Sequence, residues 1–210
     1  MNDVAGVCRR RATCRLCDSG DLSLVLSLTP TPLANAFVTA DALNAPQECF
    51  PLDLSLCGEC GHLQLLHVVD PSLLFADYVY VSGTSPSFVA HFEDYAASVI
   101  KAYQPPPGAL VVDIGSNDGT LLGFFQQAGM AVQGIDPARD IAKAASEVGI
   151  ETLNAFFDAA LAVQIREKKG AAAVVTANNV FAHIDDLASM VAGVRTLLDD
   201  DGVFVFEVSY

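Results

Sequence analysis

From residue 109 onward the chain alternates short apolar runs with amphipathic segments. Runs rich in β-formers fall at 110–114, 131–135, 151–154, 172–177 and 203–208. Between them, apolar residues recur at helical spacing over about 119–128, 138–148, 158–167 and 185–198, with Gly149 and Gly170 closing two of these segments. Strands separated by helices of this length imply right-handed crossovers and a parallel sheet. The run Ala171-Ala-Ala-Val-Val175 is apolar throughout, as a strand covered on both faces should be. Ahead of this region, Phe88, Phe92, Tyr95, Ala96 and Val99 mark a further helix, with Ser85 as its N-cap and Pro86 at its first position. Pro105-Pro-Pro-Gly108 ends that helix. Residues 1 to about 68 are different in character. They read as loop-rich, are broken by prolines at 30, 32, 46 and 51, and hold all six cysteines.

The predicted organisation is therefore a small loop/β lobe over 1–70, a helical connector over 71–108, and an α/β Rossmann-like lobe over 109–210. A doubly wound sheet ordinarily continues beyond the point where this chain stops. The expectation is an incomplete second lobe, cut at Tyr210.

Composition narrows the partners. Hydrophobic residues make up 52% and charged residues 17%, enough apolar material for a core and too much for disorder. Eleven basic against 25 acidic residues give a net charge of −14, which disfavours nucleic acid. No apolar run approaches the roughly 18 residues of a membrane span, and Arg9–Arg11 interrupt any signal-peptide core. A cytoplasmic protein with reduced thiols is expected, with no nucleic-acid or membrane partner.

Within the first lobe, Cys14-Arg-Leu-Cys17 and Cys57-Gly-Glu-Cys60 form two Cys-x-x-Cys knuckles. Two residues between thiolates let each pair grip one ion tetrahedrally, and four thiolates close the site, as in structural zinc. Buried free thiols, disulfides or an iron–sulfur cluster are the competing readings. Cys8 and Cys49 are left over as spare thiols, and His62 and His67 as packing or surface residues.

The second lobe carries its chemistry at Asp113-Ile-Gly115-Ser116-Asn117-Asp-Gly119, a strand running into a tight turn and a helix. Free N–H groups at a helix N-terminus suit a ligand there, and Gly115 and Gly119 let backbone pass close to it. The dinucleotide pattern Gly-x-Gly-x-x-Gly is absent, because Asn117 and Thr120 occupy its second and third glycine positions. What remains, with Asp136-Pro137 closing the next strand, is the arrangement of S-adenosylmethionine (SAM) sites, where the second acidic residue accepts the ribose hydroxyls. A structural turn without ligand and an NAD site are the alternatives.

Other residues have two readings each. His183, beyond the fourth strand with Asn178 and Asn179, either lies beside the cofactor or caps a helix. Tyr78 and Tyr80 alternate onto one face and either polarise a substrate carbonyl or pack a strand. Phe156 and Phe157 either sandwich an adenine or belong to the core.

Taken together, the chain resembles the nucleotide-sugar C-methyltransferases, class I SAM-dependent enzymes with an N-terminal zinc lobe. The resemblance rests on Cys14-x-x-Cys17, Pro32-Leu-Ala-Asn-Ala-Phe37, Cys57-Gly-Glu-Cys60-Gly-His-Leu-Gln-Leu65, Tyr78-Val-Tyr80, Asp113-Ile-Gly-Ser-Asn-Asp-Gly-Thr-Leu-Leu122, Asn179-Val-Phe-Ala-His183 and Phe206-Glu-Val208. It implies SAM and structural Zn²⁺ as cofactors and a keto-sugar nucleotide as the small-molecule substrate. The chemistry it implies is enolate attack on the SAM methyl group, with Tyr80 or Tyr78 and His183 as catalytic residues. The family also carries a Tyr/His-rich motif and a second α/β domain that 1–210 does not supply. The parent protein is expected to methylate, and this piece to bind SAM and zinc without turnover. A zinc/SAM-binding scaffold is the rival reading.

Overall fold

The computed structural model describes residues 6–208. It divides into two compact units, Met1–Val79 and Tyr80–Tyr210. Tyr210, where the sequence suggested a cut, lies outside the described residues.

The first unit is β-rich. Strand β1 (Cys8–Arg10) pairs antiparallel with β5 (His67–Val69), and β2 (Leu22–Thr31), β3 (Phe50–Cys57) and β4 (Leu63–Leu65) form a second antiparallel sheet. The ten-residue β2 is the main departure from the loop-rich expectation. Its alternation, Leu22, Leu24, Leu26, Leu28, is a strand signal, and Leu52, Leu54 and Leu56 repeat it in β3. A short helix, α1 (Pro71–Phe75), follows, with Asp70 accepting the Ser72 N–H at 2.9 Å.

The second unit opens with α2 (Pro86–Tyr103), capped by the Ser85 hydroxyl with Pro86 in its first turn. Then follow β6 (Leu110–Ile114), α3 (Thr120–Gln127), β7 (Ala131–Ile135), α4 (Arg139–Glu147), β8 (Thr152–Leu153), α5 (Ala159–Lys169), β9 (Ala172–Asn178), α6 (Leu187–Leu197) and β10 (Leu198–Glu207). The five strands form one parallel sheet in the order β10-β9-β6-β7-β8. The order reverses between β6 and β9, which opens a crevice beyond their carboxyl ends.

Both faces of this sheet are covered, which is why β6 is buried along its whole length. Alternation sends Val111 and Val174 to one face, against Phe92, Ala96 and Val99 of α2 and Leu121, Leu122 and Phe125 of α3. Val112, Ile114 and Val175 face the other way, toward Ile165 of α5 and Met190, Val194 and Leu197 of α6. Helix α2 thus packs as an integral part of the cofactor-type lobe. No helix among the described residues is long and apolar enough to cross a membrane.

Candidate functional site

Two sites emerge, one in each unit. In the first, the sulfurs of Cys14, Cys17, Cys57 and Cys60 all lie within 4.8 Å of one another. Cys14 and Cys60 are 3.7 Å apart, and Cys17 and Cys57 3.6 Å. Sulfurs held about 2.3 Å from a central ion in a tetrahedron stand roughly 3.8 Å from each other, so the donor set fits Zn²⁺. Each knuckle closes on a turn: the Asp18 N–H donates to the Cys14 carbonyl at 3.0 Å, and Gly61 N–H to that of Cys57 at 2.9 Å. Asp18 and Gly61, the residues just past the second cysteine of each pair, both take positive φ. Gln64 Nε2 donates to Cys14 Sγ at 3.0 Å and the Leu16 N–H reaches the same sulfur at 3.5 Å. Burial opposes ionisation of Cys14, but the Leu16 and Cys17 amides, Gln64 and Cys60 outweigh it and bring that thiol down to about 6, whereas the neighbouring sulfurs and burial hold the Cys17 and Cys60 thiols up. N–H donors to a sulfur stabilise thiolate, the metal-binding form.

In the second unit, the turn after β6 is held by its own hydrogen bonds. Gly115 and Ser116 N–H both donate to the Ile135 carbonyl, at 2.7 and 3.1 Å. Asn117 N–H donates to Asp136 Oδ2 at 2.8 Å, and Thr120 N–H to Asp118 Oδ1 at 3.1 Å. The expectation of amides pointing freely at a ligand is therefore corrected for 115–117 and 120. With those donors spent inside the protein, the turn lacks the amide cradle that a pyrophosphate requires. The glycines also serve a purpose other than close approach to a ligand. Gly115 and Gly119 have φ of +72° and +79°, and a Cβ would strike Val180 at the first and meet Ile150 at 2.8 Å at the second.

Asp136, 7% exposed, accepts the Asn117 and Ala138 N–H groups, one on each oxygen. Each carboxylate oxygen keeps a further lone pair for another donor. Burial pushes its carboxyl up, against the pull of the two amides. The Asp136 and Pro137 carbonyls both accept the Asn154 amide, at 3.1 and 2.8 Å, which fixes the strand end. Asp113 lies deeper, in register with Gly134 and Thr176, and accepts the Thr176 hydroxyl at 2.6 Å. Burial, then the nearby Asp136 charge, push its carboxyl up to about 7 despite the Thr176 bond. Ser116 Oγ is buried with no hydrogen-bond partner among the described residues.

The segment before α2 is tied to this turn by a clasp that the sequence did not reveal. Asn117 Nδ2 donates to the Tyr80 carbonyl at 2.9 Å and Asn117 Oδ1 accepts the Ser82 N–H at 2.8 Å. Asp118 Oδ2 accepts the Gly83 N–H at 2.8 Å. The long separation along the chain hid this pairing. Asn117 sits at φ +51°, a conformation asparagine tolerates better than most residues.

The tyrosine pair is not on a strand, since residues 76–81 are irregular. Tyr78 belongs to the first unit, its ring 6.0 Å from that of Phe75. Tyr80 belongs to the second, 39% exposed, with its ring edge-on to Phe88 at 6.4 Å. His183 lies on a single exposed turn, Phe181–His183, beyond β9. Asn178 ends β9. Phe156 is 44% exposed beyond β8, whereas Phe157 packs into the α5/α6 core. The carboxyl ends of β6, β7, β8 and β9 therefore present Asp113, Asp136, Phe156 and Asn178 along one edge of the sheet.

This geometry defines a class I methyltransferase-type lobe joined in sequence to a four-cysteine metal lobe. The family comparison agrees: the model described as "Methyltransferase domain" matches residues 88–209, and that described as "Putative zinc binding domain" matches 14–75. The chain belongs to the SAM-dependent methyltransferase family. It is 37% identical over 197 residues to the C-methyltransferase NovU of Streptomyces niveus. That alignment takes in 94% of this chain and 47% of the relative, so the chain spans about half the length of the curated protein it matches. Among solved structures, the PH0226 protein of Pyrococcus horikoshii OT3 shares the fold, with a TM-score of 0.51 and 18% identity over 62% of this chain and 58% of that one.

Proposed function

We propose that this chain is the zinc-bearing, SAM-binding part of a C-methyltransferase acting on a nucleotide-linked keto-sugar. The observation that carries the reading is the 37% identity to a C-methyltransferase along 94% of the chain. The buried Asp136 beside a turn unsuited to pyrophosphate supports SAM over a dinucleotide. In this reading the functional division is a zinc lobe over 1–70, an acceptor segment over 71–108 and a SAM domain over 109–210.

When bound, SAM supplies a methyl group on a cationic sulfur, to be taken by a carbon made nucleophilic through loss of a proton beside a ketone. Asp136 accepts the ribose hydroxyls. Phe156 offers an exposed ring to the adenine. The turn Gly115–Gly119, with Ser116 and Asn117, shapes the floor, and Asp113 beneath it places negative potential under the cationic end. Asn178 meets the far end of the cofactor. Tyr80 and Tyr78 supply phenol groups for the developing enolate oxygen, and His183 an imidazole that can take a proton. Cys14, Cys17, Cys57 and Cys60 hold Zn²⁺ with no open position, so the ion is structural. A cytoplasmic setting keeps these thiols reduced. A charge of −14 favours a small-molecule acceptor over nucleic acid.

Calorimetric titration with SAM, and with NAD⁺ in parallel, tests the cofactor. Micromolar SAM affinity, no NAD⁺ signal, and loss of SAM binding in Asp136→Ala are expected; NAD⁺ binding in place of SAM would sink the reading. Methyl transfer from labelled SAM to a nucleoside-diphosphate 4-keto-sugar tests the reaction. Transfer by this chain would exclude the scaffold reading; SAM binding without transfer is common to that reading and to one part of a longer enzyme.

A further inference from the structure

The clasp between the glycine turn and the segment carrying Tyr80 links two parts of the proposed chemistry through one residue. Asn117 is bonded in both directions. Its backbone N–H donates to Asp136 Oδ2 at 2.8 Å, while its side-chain amide donates to the Tyr80 carbonyl at 2.9 Å and accepts the Ser82 N–H at 2.8 Å. Asp118 accepts the Gly83 N–H at 2.8 Å with one oxygen and, with the other, the Thr120 N–H and hydroxyl at 3.1 and 2.7 Å. Position 83 suits glycine for this reason: a Cβ there would stand 2.5 Å from Asp118 Oδ2 and 3.0 Å from Thr120 Oγ1. All of these residues lie in the second unit.

One conformation of Asn117 serves both directions. Its φ of +51° is a region that residues with a Cβ seldom enter. Relaxation to an ordinary negative φ would swing its N–H relative to its side chain, and the bonds on the two sides could not both survive. The carboxylate and the tyrosine segment are therefore coupled through a single backbone torsion. Each clasp bond shifts an equilibrium by only about two- to tenfold, so a ligand has the strength to bias the arrangement. Asp136 is where it would act. Burial opposes the charged form of that carboxyl, and hydroxyls donated by a ligand favour it. Occupancy of Asp136 thus strengthens the acceptor that holds Asn117.

We propose that Asn117 and Asp118 are positioning residues that couple the cofactor site to the tyrosine segment. A nucleoside held at Asp136 fixes Asn117, and Asn117 with Asp118 fixes Tyr80–Gly83. Tyr80 is gripped by its own carbonyl, and the turn Ser82–Thr84 leads directly into the Ser85 cap of α2. Cofactor binding then sets the position of the phenol assigned to the enolate oxygen. The coupling is reciprocal: what loosens the clasp weakens the cofactor by the same factor. This inference rests on reading Asp136 as the ribose anchor of a SAM site.

The test is amide hydrogen exchange, read by NMR on the full chain with and without saturating S-adenosylhomocysteine. The Ser82 and Gly83 amides, the two backbone donors of the clasp, should exchange about five- to tenfold more slowly with the ligand bound. A purely structural tie would protect them equally in both states. Asn117→Gly tolerates the positive φ, keeps the N–H that reaches Asp136 and deletes the side chain. In this variant the ligand should no longer slow Gly83, and S-adenosylhomocysteine should bind about five- to tenfold more weakly. Asp118→Asn takes the acceptor from either Gly83 or Thr120, and covers the case in which Asn117→Gly fails to fold; slowing at Ser82 and ligand affinity should then drop together. Bound ligand with exchange at both amides unchanged would overturn the coupling while leaving the SAM reading intact. If the unmodified chain binds no S-adenosylhomocysteine, the SAM reading fails and the coupling with it.

Discussion

The two units of this chain solve the same problem with different materials. The second buries two hydrophobic clusters, one on each face of its sheet. Among the described residues, the apolar side chains that the first buries are Phe50, Leu66 and two of its four site cysteines. Its longest strand has nine of ten residues exposed, and Phe37 and Leu24 are 82% and 62% exposed. A unit of fewer than 80 residues with so small a core needs a staple, and the four thiolates are the one it has. Each unit should therefore fail in its own way.

Metal removal is the largest expected effect. Structural zinc contributes apparent energies of about 10–16 kcal/mol in zinc-finger peptides, and that binding energy is folding energy. Chelation, or Cys57→Ser, should abolish amide-exchange protection over β2–β4 and leave β6, β7 and β9 protected. Equal protection in both units after metal analysis shows the ion gone would break the contrast.

Core truncation comes next. Phe125 is fully buried between α3 and the sheet. Phe125→Ala should cost the second unit about 3–5 kcal/mol in urea unfolding. Leu26→Ala, on a residue 48% exposed, should cost less than about 0.5 kcal/mol. A cost at Leu26 comparable to that at Phe125 would mean that the β2 face is buried in solution.

The contrast also explains what could be read in the sequence. In the second unit, period and turn residues agree with the tertiary structure, so β6 and β7 were predicted to the residue and β9 to within one. The four cysteines were legible because metal spacing is local within each knuckle. Strands β2 and β3 carried a plain alternation, but prolines and the absence of a core partner disguised it. The Asn117 clasp was beyond reach. It depends on contacts between residues distant in sequence, and no local pattern marks it.

Within the second unit, Asp113 runs against stability by burial. Its carboxyl is raised from 3.8 to about 7, so the folded state holds the proton more tightly than the unfolded one. The stability from this group is present at acid pH and is lost as pH rises from about 4 to about 7. Asp113→Asn keeps an acceptor for Thr176 and removes the buried charge. It should stabilise the ligand-free second unit by about 2–4 kcal/mol at pH 8 and have little effect at pH 4. An effect that did not change with pH would place the cost elsewhere than in ionisation.

The smallest effect concerns a carboxylate at the opposite end of the same sheet. Glu151 pairs with Lys169 at 2.6 Å and Lys168 at 3.9 Å, and its side chain is 51% exposed. The Lys169 hydrogen bond, outweighing slight burial, lowers its carboxyl below the usual 4.5. The sign is the reverse of that at Asp113: this stability is present above pH 4.5 and lost as pH falls below it. Solvent screens the pair, so Glu151→Gln should cost only about 0.2–1 kcal/mol at pH 7 and less in high salt. One sheet thus carries a carboxylate that costs stability toward the carboxyl ends of its strands and one that adds little at the other. If Glu151→Gln destabilised the unit more than Phe125→Ala, ion pairing rather than apolar burial would be holding the second unit together.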